Sequence, residues 1–191
     1  MKKVLKLDSG EKITIRHVKK SDIEGIWINF NQVVEEGIYL PVLTPVKSAF
    51  EKEAWYRNLK KEKELCIVAD SSKKKSPKNI VGQCEITNLE WEGGAHVGVL
   101  GIIIQENYRD KGIGRALIDM ALKQSKKLNN KEKIILSCFT TNERAIALYQ
   151  KMGFRVVGIR KKQFYMDTQY LDEMLMELFI DEYLESSNGG F

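Results

Sequence analysis

The feature that most restricts the fold is a continuous apolar run, Val97 to Ile104, followed by a glycine-containing turn and a long amphipathic segment. A strand without alternating polar positions is typical of a sheet that is covered on both faces. From Gly112 to Leu128 the apolar side chains recur along one stripe, which predicts a helix. A second strand and helix follow at 134–139 and 143–152. The sequence therefore predicts a mixed α/β fold.

The remaining segments predict two early helices and several more strands. Capping boxes beginning at Ser21 and Ser48 predict helices that run to about Glu36 and Lys63. Further strands are predicted at 12–16, 64–69, 80–87, 154–160 and 173–180. No repeat or long linker divides the chain. We therefore expect one domain over residues 1–185 and a frayed tail at 186–191.

Composition excludes some classes of function. The net charge of +5 could suit nucleic acid, but the basic residues are spread out, and the one dense run, Lys73–Lys75, lies in a polar loop. The polar start of the chain does not resemble a signal peptide, and no apolar run approaches the roughly 18 residues that a membrane span needs. We expect a cytoplasmic protein without membrane contact.

The three cysteines do not indicate a metal site or a disulfide framework. Cys66, Cys84 and Cys138 lie in apolar, strand-like runs, with no CxxC pair and no nearby histidine. We expect buried, reduced thiols and no bound metal.

The turn between residues 105 and 116 predicts an anion site. The first N–H groups of a helix have no partner inside the helix, and the helix dipole makes that end partly positive. Gly112 and Gly114 would leave the backbone bare for an anion, and three cations add charge, namely Arg109, Lys111 and Arg115. A tight turn with close helix–strand packing would explain the two glycines equally well. A P-loop and a Rossmann fingerprint are both excluded by the spacing.

A second group of residues follows the strand at 134–139. Asn142, Ala145 and Tyr149 fall close to one face of the predicted helix and could line a groove. The alternative is structural, with Asn142 as a helix cap and Tyr149 as a core aromatic.

Together these two stretches resemble the GNAT superfamily of acyl-CoA-dependent N-acyltransferases. Arg109–Gly114 matches that family's [QR]xxGx[GA] signature, and the family's later Asn, Ala, Tyr and Gly-Phe pattern is matched by Asn142, Ala145, Tyr149 and Gly153-Phe154. The resemblance extends from about residue 12 to 180. It implies a splayed mixed sheet of about six to seven strands with about four helices.

The resemblance also implies a cofactor and its contacts. Acetyl-CoA would sit where the strands 97–104 and 134–139 separate, with its pantetheine arm against the backbone of Ile102, Ile103 and Ile104. Asn142 would contact the same arm, beside Ala145. The pyrophosphate would meet the amides of the seven residues from Arg109 to Arg115, which are Arg109, Asp110, Lys111, Gly112, Ile113, Gly114 and Arg115. The resemblance is compatible with a homodimer, although nothing in the sequence fixes the oligomeric state.

Amine acetylation needs a base for the ammonium, a polarised thioester carbonyl and a proton for the leaving thiolate. The resemblance gives the last role to Tyr149. We expect backbone N–H groups near Ile103 and Ile104 to polarise the carbonyl. For the base we expect Glu85, although it could equally be a solvent-facing glutamate, with Glu35 and Glu36 as other candidates. The acceptor side would be built from the first two helices, the loop 38–47 and the connection 161–172, which carry Tyr39, Trp55, Tyr165, Asp167, Tyr170 and Asp172.

Three functions remain open at this point. The first is an N-acetyltransferase that joins acetyl-CoA and a primary amine (a small amine, an amino acid or a protein N-terminus) by direct attack in a ternary complex. The second is a catalytically silent, CoA-binding regulatory module of the same fold. The third, a basic protein associated with nucleic acid, is the least favoured.

Overall fold

The computed structural model describes residues 1–188 and contains one open sheet of eight strands in the order β1-β2-β3-β4-β5-β6-β8-β7. The strands are β1 (Lys2–Lys6), β2 (Lys12–His17), β3 (Leu65–Ser71), β4 (Ile80–Asn88), β5 (Val97–Ile104), β6 (Lys133–Phe139), β7 (Arg155–Met166) and β8 (Gln169–Phe179). Neighbouring strands are antiparallel except β5 and β6, which are parallel. The predicted mixed α/β fold is confirmed.

Helices cover both faces of the sheet. They are α1 (Ile23–Glu35), α2 (Ala49–Lys61), α3 (Ile113–Asn129), α4 (Glu143–Lys151) and α5 (Ile180–Asn188). The larger hydrophobic core joins the sheet to α3, α4 and α5, and a smaller core joins it to α1 and α2. On β3, Ile67 and Ala69 belong to the larger core, whereas Cys66 and Val68 belong to the smaller one. Because successive side chains point to opposite faces and both faces are covered, this strand is apolar from Leu65 to Ala69.

The parallel pair β5 and β6 separates soon after it forms. Val97, Gly98 and Val99 pair with residues 133–135, and beyond Val99 the two strands have no pairing to each other. The last five residues of β5 therefore present one backbone edge to an opening in the sheet. The predicted splay between these strands is confirmed.

Several predicted elements need correction. The sheet has eight strands rather than six to seven, and there are five α-helices rather than about four. Strand β1 was missed because its pattern of lysines and apolar residues is almost wholly exposed. The predicted connection 161–172 is instead the paired end of the β7–β8 hairpin, which turns at Asp167 and Thr168, both with positive φ. Helix α5 continues through Ser186 to Asn188, and the rest of the predicted tail lies outside the described residues.

The two predicted capping boxes differ in outcome. The Ser48 hydroxyl accepts a hydrogen bond from the Glu51 amide at 3.3 Å, so this helix start is confirmed. The box at Ser21 is wrong, because the chain first makes a 3-10 turn at Lys20–Asp22. The Asp22 carboxylate accepts from the Lys19 amide and from Arg16, so it is committed to this turn rather than to α1.

No helix within residues 1–188 combines the length and the apolar character that crossing a bilayer requires.

Candidate active site

A cavity of about 420 Å³ lies where β5 and β6 separate. Its walls come from the end of β5, the turn before α3, helix α4 and the segment that follows α1. Most of the predicted site residues line it, namely Ile102, Ile103, Ile104, Arg109, Asp110, Gly112, Gly114, Arg115, Asn142, Ala145 and Tyr149. Lys111, Ile113 and Glu85 do not line it. Ile113 is instead a buried core residue, and the other two are described below.

The two glycines of the turn have different roles. Gly112 has φ of +74°, which places it in the left-handed region, and a Cβ added there would meet nothing within 4 Å. It is the N-cap of α3, so the bare first turn of that helix faces the cavity. A Cβ at Gly114 would lie 3.0 Å from the Leu148 side chain and 3.3 Å from that of Ile104. Close packing therefore explains Gly114, whereas Gly112 leaves open space beside the helix end.

The charges at this helix end differ from the sequence prediction. The guanidinium of Arg109 forms a two-pronged ion pair with Glu36, and its Nε donates to the Ile104 carbonyl at 2.8 Å. Lys111 is exposed and donates to the Asn107 carbonyl. Arg115 lines the cavity and, like Lys151 at its edge, has no ion pair within residues 1–188. The positive charge available in the cavity thus comes from Arg115 and Lys151, in addition to the helix end.

Helix α4 places its three predicted residues on the cavity wall. The Asn142 side chain caps the helix by accepting from the Ala145 amide at 3.3 Å, and it lines the cavity as well. Tyr149 is 6% exposed and packs edge-on against Phe154 with ring centroids 5.8 Å apart. Asn142 and Tyr149 therefore serve the structure, as a helix cap and a core aromatic, and also face the cavity.

The Tyr149 hydroxyl is suited to hold a proton. Burial raises the pKa of this phenol, with smaller contributions from the nearby thiols of Cys138 and Cys84. Among the described residues, the hydroxyl has no hydrogen-bond partner. The group therefore stays protonated across the neutral range and is available to donate to a bound molecule.

Glu85 lies next to the opening but outside the cavity wall. It pairs across the strands with Gly101, which does line the cavity. A Cβ added to Gly101 would meet nothing within 4 Å. Directly paired residues share one face of the sheet. Open space therefore lies beside Glu85, on the side of α1 and α2.

Hydrogen bonds fix the orientation of the Glu85 carboxylate. Trp55 Nε1 donates to it at 3.2 Å and Gln83 Nε2 at 3.3 Å, while Asn29 Nδ2 donates to Gln83 at 3.0 Å. Burial raises the pKa of Glu85, and the two hydrogen bonds oppose that rise. The carboxyl group of Glu85 is therefore oriented by two hydrogen bonds and partly desolvated, unlike that of a surface glutamate.

The other acid candidates are placed differently. Glu36 is committed to Arg109, and Glu35 is exposed on α1. Of the predicted acceptor-side residues, Tyr39 lines the cavity and Trp55 contacts Glu85. The rings of Tyr165 and Tyr170 contact each other at the exposed hairpin end, and Asp172 pairs with Lys161.

Sequence reasoning missed part of the cavity wall. Arg144 and Lys151 both line it, and their spacing of seven residues on α4 was a signal that could have found them. Cys138 lines it too; burial and then the charge of Glu173 raise the pKa of its thiol to about 11. Cys66 and Cys84 are buried free thiols, as predicted, whereas Cys138 is only half-buried.

Comparisons with known proteins agree with this architecture. The family model "Acetyltransferase (GNAT) family" matches residues 36–154, more than half of the chain. A spermidine N(1)-acetyltransferase of Vibrio cholerae is 26% identical over 180 residues, covering 93% of this chain and 99% of that protein. An L-amino acid N-acetyltransferase of Escherichia coli is 26% identical over 164 residues, covering 86% and 96%.

A solved structure has the same fold. It is a Salmonella typhimurium protein described as a putative acetyltransferase with its cofactor acetyl-CoA, and it superimposes with a TM-score of 0.79 at 19% identity, covering 88% of this chain and 94% of that one. The expected fold and class of enzyme, an acyltransferase, are thus confirmed. The family match, which includes β5, the turn, α3 and α4, shows that the chain belongs to the GNAT family of acetyltransferases.

Proposed function

We propose that the protein transfers the acetyl group of acetyl-CoA to a primary amine, by direct attack of the amine on the thioester in a ternary complex. The observation that carries this proposal is the opening between β5 and β6. It has a bare helix end at Gly112 on one side and, on the other, the hydroxyl of Tyr149, which has no hydrogen-bond partner among the described residues. A long molecule with phosphates at one end and a thioester at the other fits that arrangement.

The cofactor would be held by main-chain groups and two cations. The pyrophosphate would accept hydrogen bonds from the amides of the first turn of α3, where the helix dipole favours an anion. Arg115 and Lys151, which form no ion pair with any residue that the structure describes, supply positive charge there. The pantetheine arm would run along the free edge of β5 at Ile102 and Ile103, whereas the Ile104 carbonyl already accepts from Arg109.

The chemistry would then use Glu85 and Tyr149. Glu85 accepts a proton from the ammonium of the acceptor, directly or through a water, so that the free amine can attack the thioester carbon. As the new C–N bond forms and the C–S bond breaks, the sulfur leaves as a thiolate and takes the proton of Tyr149. The positively charged nitrogen of the product then gives its second proton to the Tyr149 phenolate through water, which restores the phenol, and Glu85 returns its proton to solvent. The ordered carboxyl and the protonated phenol, on opposite sides of the opening, favour turnover over a silent CoA-binding module.

The acceptor class is tested by a turnover screen. CoA release from acetyl-CoA should be measured against polyamines, L-amino acids and peptide N-termini, because the relatives above are named for spermidine and for amino acids. We expect at least one class to release CoA well above the rate with water alone. Tight acetyl-CoA binding without release in any class would instead support the regulatory module.

A pH profile tests whether Glu85 is the base. Burial raises the pKa of Glu85, and the hydrogen bond from Trp55 opposes that rise. Removing this hydrogen bond in Trp55→Phe should therefore raise the pKa of Glu85 further. A base acts only when deprotonated, and the acid limb of kcat/KM should therefore move to higher pH. Trp91→Phe serves as the control, because Trp91 is 77% exposed and lies outside the cavity. An unmoved acid limb in Trp55→Phe, or normal turnover in Glu85→Gln, would remove Glu85 from this role.

A further inference from the structure

Arg109 begins the turn to which the proposed function assigns the diphosphate, yet its side chain is bonded to protein groups. The side chain is 9% exposed, its guanidinium is paired with Glu36, the residue that follows α1, and its Nε donates to the Ile104 carbonyl. Because the carboxylate balances its charge, Arg109 adds little to the attraction of a diphosphate. The pair instead ties the end of α1 to the turn before α3.

Tyr39 makes a second tie at the same place. The guanidinium carbon of Arg109 lies 4.7 Å from the centroid of the Tyr39 ring, and that of Arg144 lies 5.6 Å from it. The Tyr39 hydroxyl accepts from Arg144 Nη2 at 3.2 Å, and Arg144 also lies 3.5 Å from the Asp110 carboxylate. The ring therefore joins the segment after α1 to the phosphate turn and to helix α4.

The segment held in this way, residues 37–47, forms one wall of the cavity through Tyr39 and Leu40. Its far end is fixed by Asn31, whose side chain bonds both the amide and the carbonyl of Val46 at 2.8 Å. At its near end, Gly37 lies close to the carboxylate of Asp167 at the end of the β7–β8 hairpin. The segment thus lines the cavity and leads from α1 into α2, the helix whose Trp55 contacts Glu85.

We propose that Glu36, Tyr39, Arg109 and Arg144 form a clamp that positions residues 37–47 for the acceptor amine, so that Glu36 is a positioning residue and not a base. The inference rests on the proposed function, in which the cavity holds the acyl donor. A molecule bound at the phosphate turn rigidifies the backbone of that turn, which carries Arg109, and through the clamp it orders the wall that the amine contacts. By linkage, each substrate then strengthens binding of the other.

Two variants test the clamp by separate routes. Glu36→Gln removes the charge that holds Arg109, and Tyr39→Leu removes the ring while leaving the ion pair intact. For both we expect faster hydrogen exchange at the amides of residues 37–47 and loss of the protection that acetyl-CoA gives them. With the best amine from the screen, the acceptor KM should rise about tenfold, with kcat and the Kd of acetyl-CoA changing less than about threefold. Asp181→Asn is the control, since it breaks an ion pair with Lys126 on the surface.

The outcomes separate the clamp from the proposed function. Unchanged exchange and acceptor KM in both variants would overturn the clamp, as would weaker acetyl-CoA binding with an unchanged acceptor KM. If Glu36→Gln does not fold, Tyr39→Leu decides alone. If no amine is acetylated, the proposed function fails, and the exchange measurement with acetyl-CoA still supports or overturns the clamp.

Discussion

Tyr149→Phe should lower kcat about 100-fold, the scale on which a positioned general acid acts. The phenol is buried, its pKa is raised and its hydroxyl makes no hydrogen bond within residues 1–188, so the proton it carries is free for the departing sulfur. The phenylalanine ring would fill the same space beside Phe154. The sulfur would then leave as an unprotonated thiolate or take its proton from solvent. Either route slows cleavage of the C–S bond without changing how acetyl-CoA binds.

The measurement is kcat by CoA release, with the Kd of acetyl-CoA from calorimetry. We expect the Kd to stay within about threefold of wild type, because the ring and its packing are retained. Tyr170→Phe is the matched control, since it removes a hydroxyl from a tyrosine that is 61% exposed at the hairpin end. Wild-type kcat in Tyr149→Phe would exclude the general acid, and a large loss of acetyl-CoA binding would make Tyr149 a binding residue instead.

Gly112→Val should weaken acetyl-CoA binding by about 100-fold or more, equivalent to the loss of one or two charge-assisted hydrogen bonds. A β-branched residue rarely adopts the left-handed φ of +74° found here, so the first turn of α3 would be displaced. Its side chain would also enter the open space that the diphosphate is proposed to occupy. Both effects remove main-chain donors from the anion.

Gly10→Val is the control for the strain alone. Gly10 has φ of +76° and equally open surroundings, but it lies in the turn between β1 and β2. Both variants should lose a similar amount of thermal stability, whereas only Gly112→Val should lose affinity for acetyl-CoA. Gly112→Val should turn over S-acetyl-N-acetylcysteamine, a thioester without phosphates, at a nearly normal rate. Equal affinity in the two variants would contradict a diphosphate site at this helix end.

Local patterns predicted the centre of the fold well. The apolar run of β5 was predicted with the bounds it has, and α3 within one residue at each end, because glycines, apolar spacing and terminal lysines are all signals carried by neighbouring residues. The opening beyond Val99 came from the resemblance to a family. No local pattern encodes this opening, because it depends on where β5 and β6 stop pairing, and their paired residues, such as Val99 and Ile135, are far apart in the sequence.

Distant pairings were not accessible from the sequence. The partner of Arg109 is Glu36, 73 residues earlier in the chain. The sequence shows that both residues are charged, but it does not show that they form an ion pair. The strand and the face on which Glu85 lies were predicted from the sequence, whereas its role as the base stays a prediction. The donors that orient its carboxylate come from Trp55 on α2 and from Gln83 on the same strand. The hairpin end at 161–172 is so exposed that no burial pattern marks it as paired strand.

The short contact between β5 and β6 has a mechanical consequence. Within residues 1–188, three residue pairs of the sheet ladder join β1–β5 to β6–β8, and the larger hydrophobic core packs against both parts of the sheet. Under the proposed function, a ligand in the gap would add hydrogen bonds to the main chain of β5 at this junction. Strand β5 leads into the turn proposed to bind the diphosphate, whereas the β7–β8 hairpin brings Asp167 near the segment 37–47. Sequence changes in the hairpin would then alter which amine is accepted and leave the binding of acetyl-CoA unchanged.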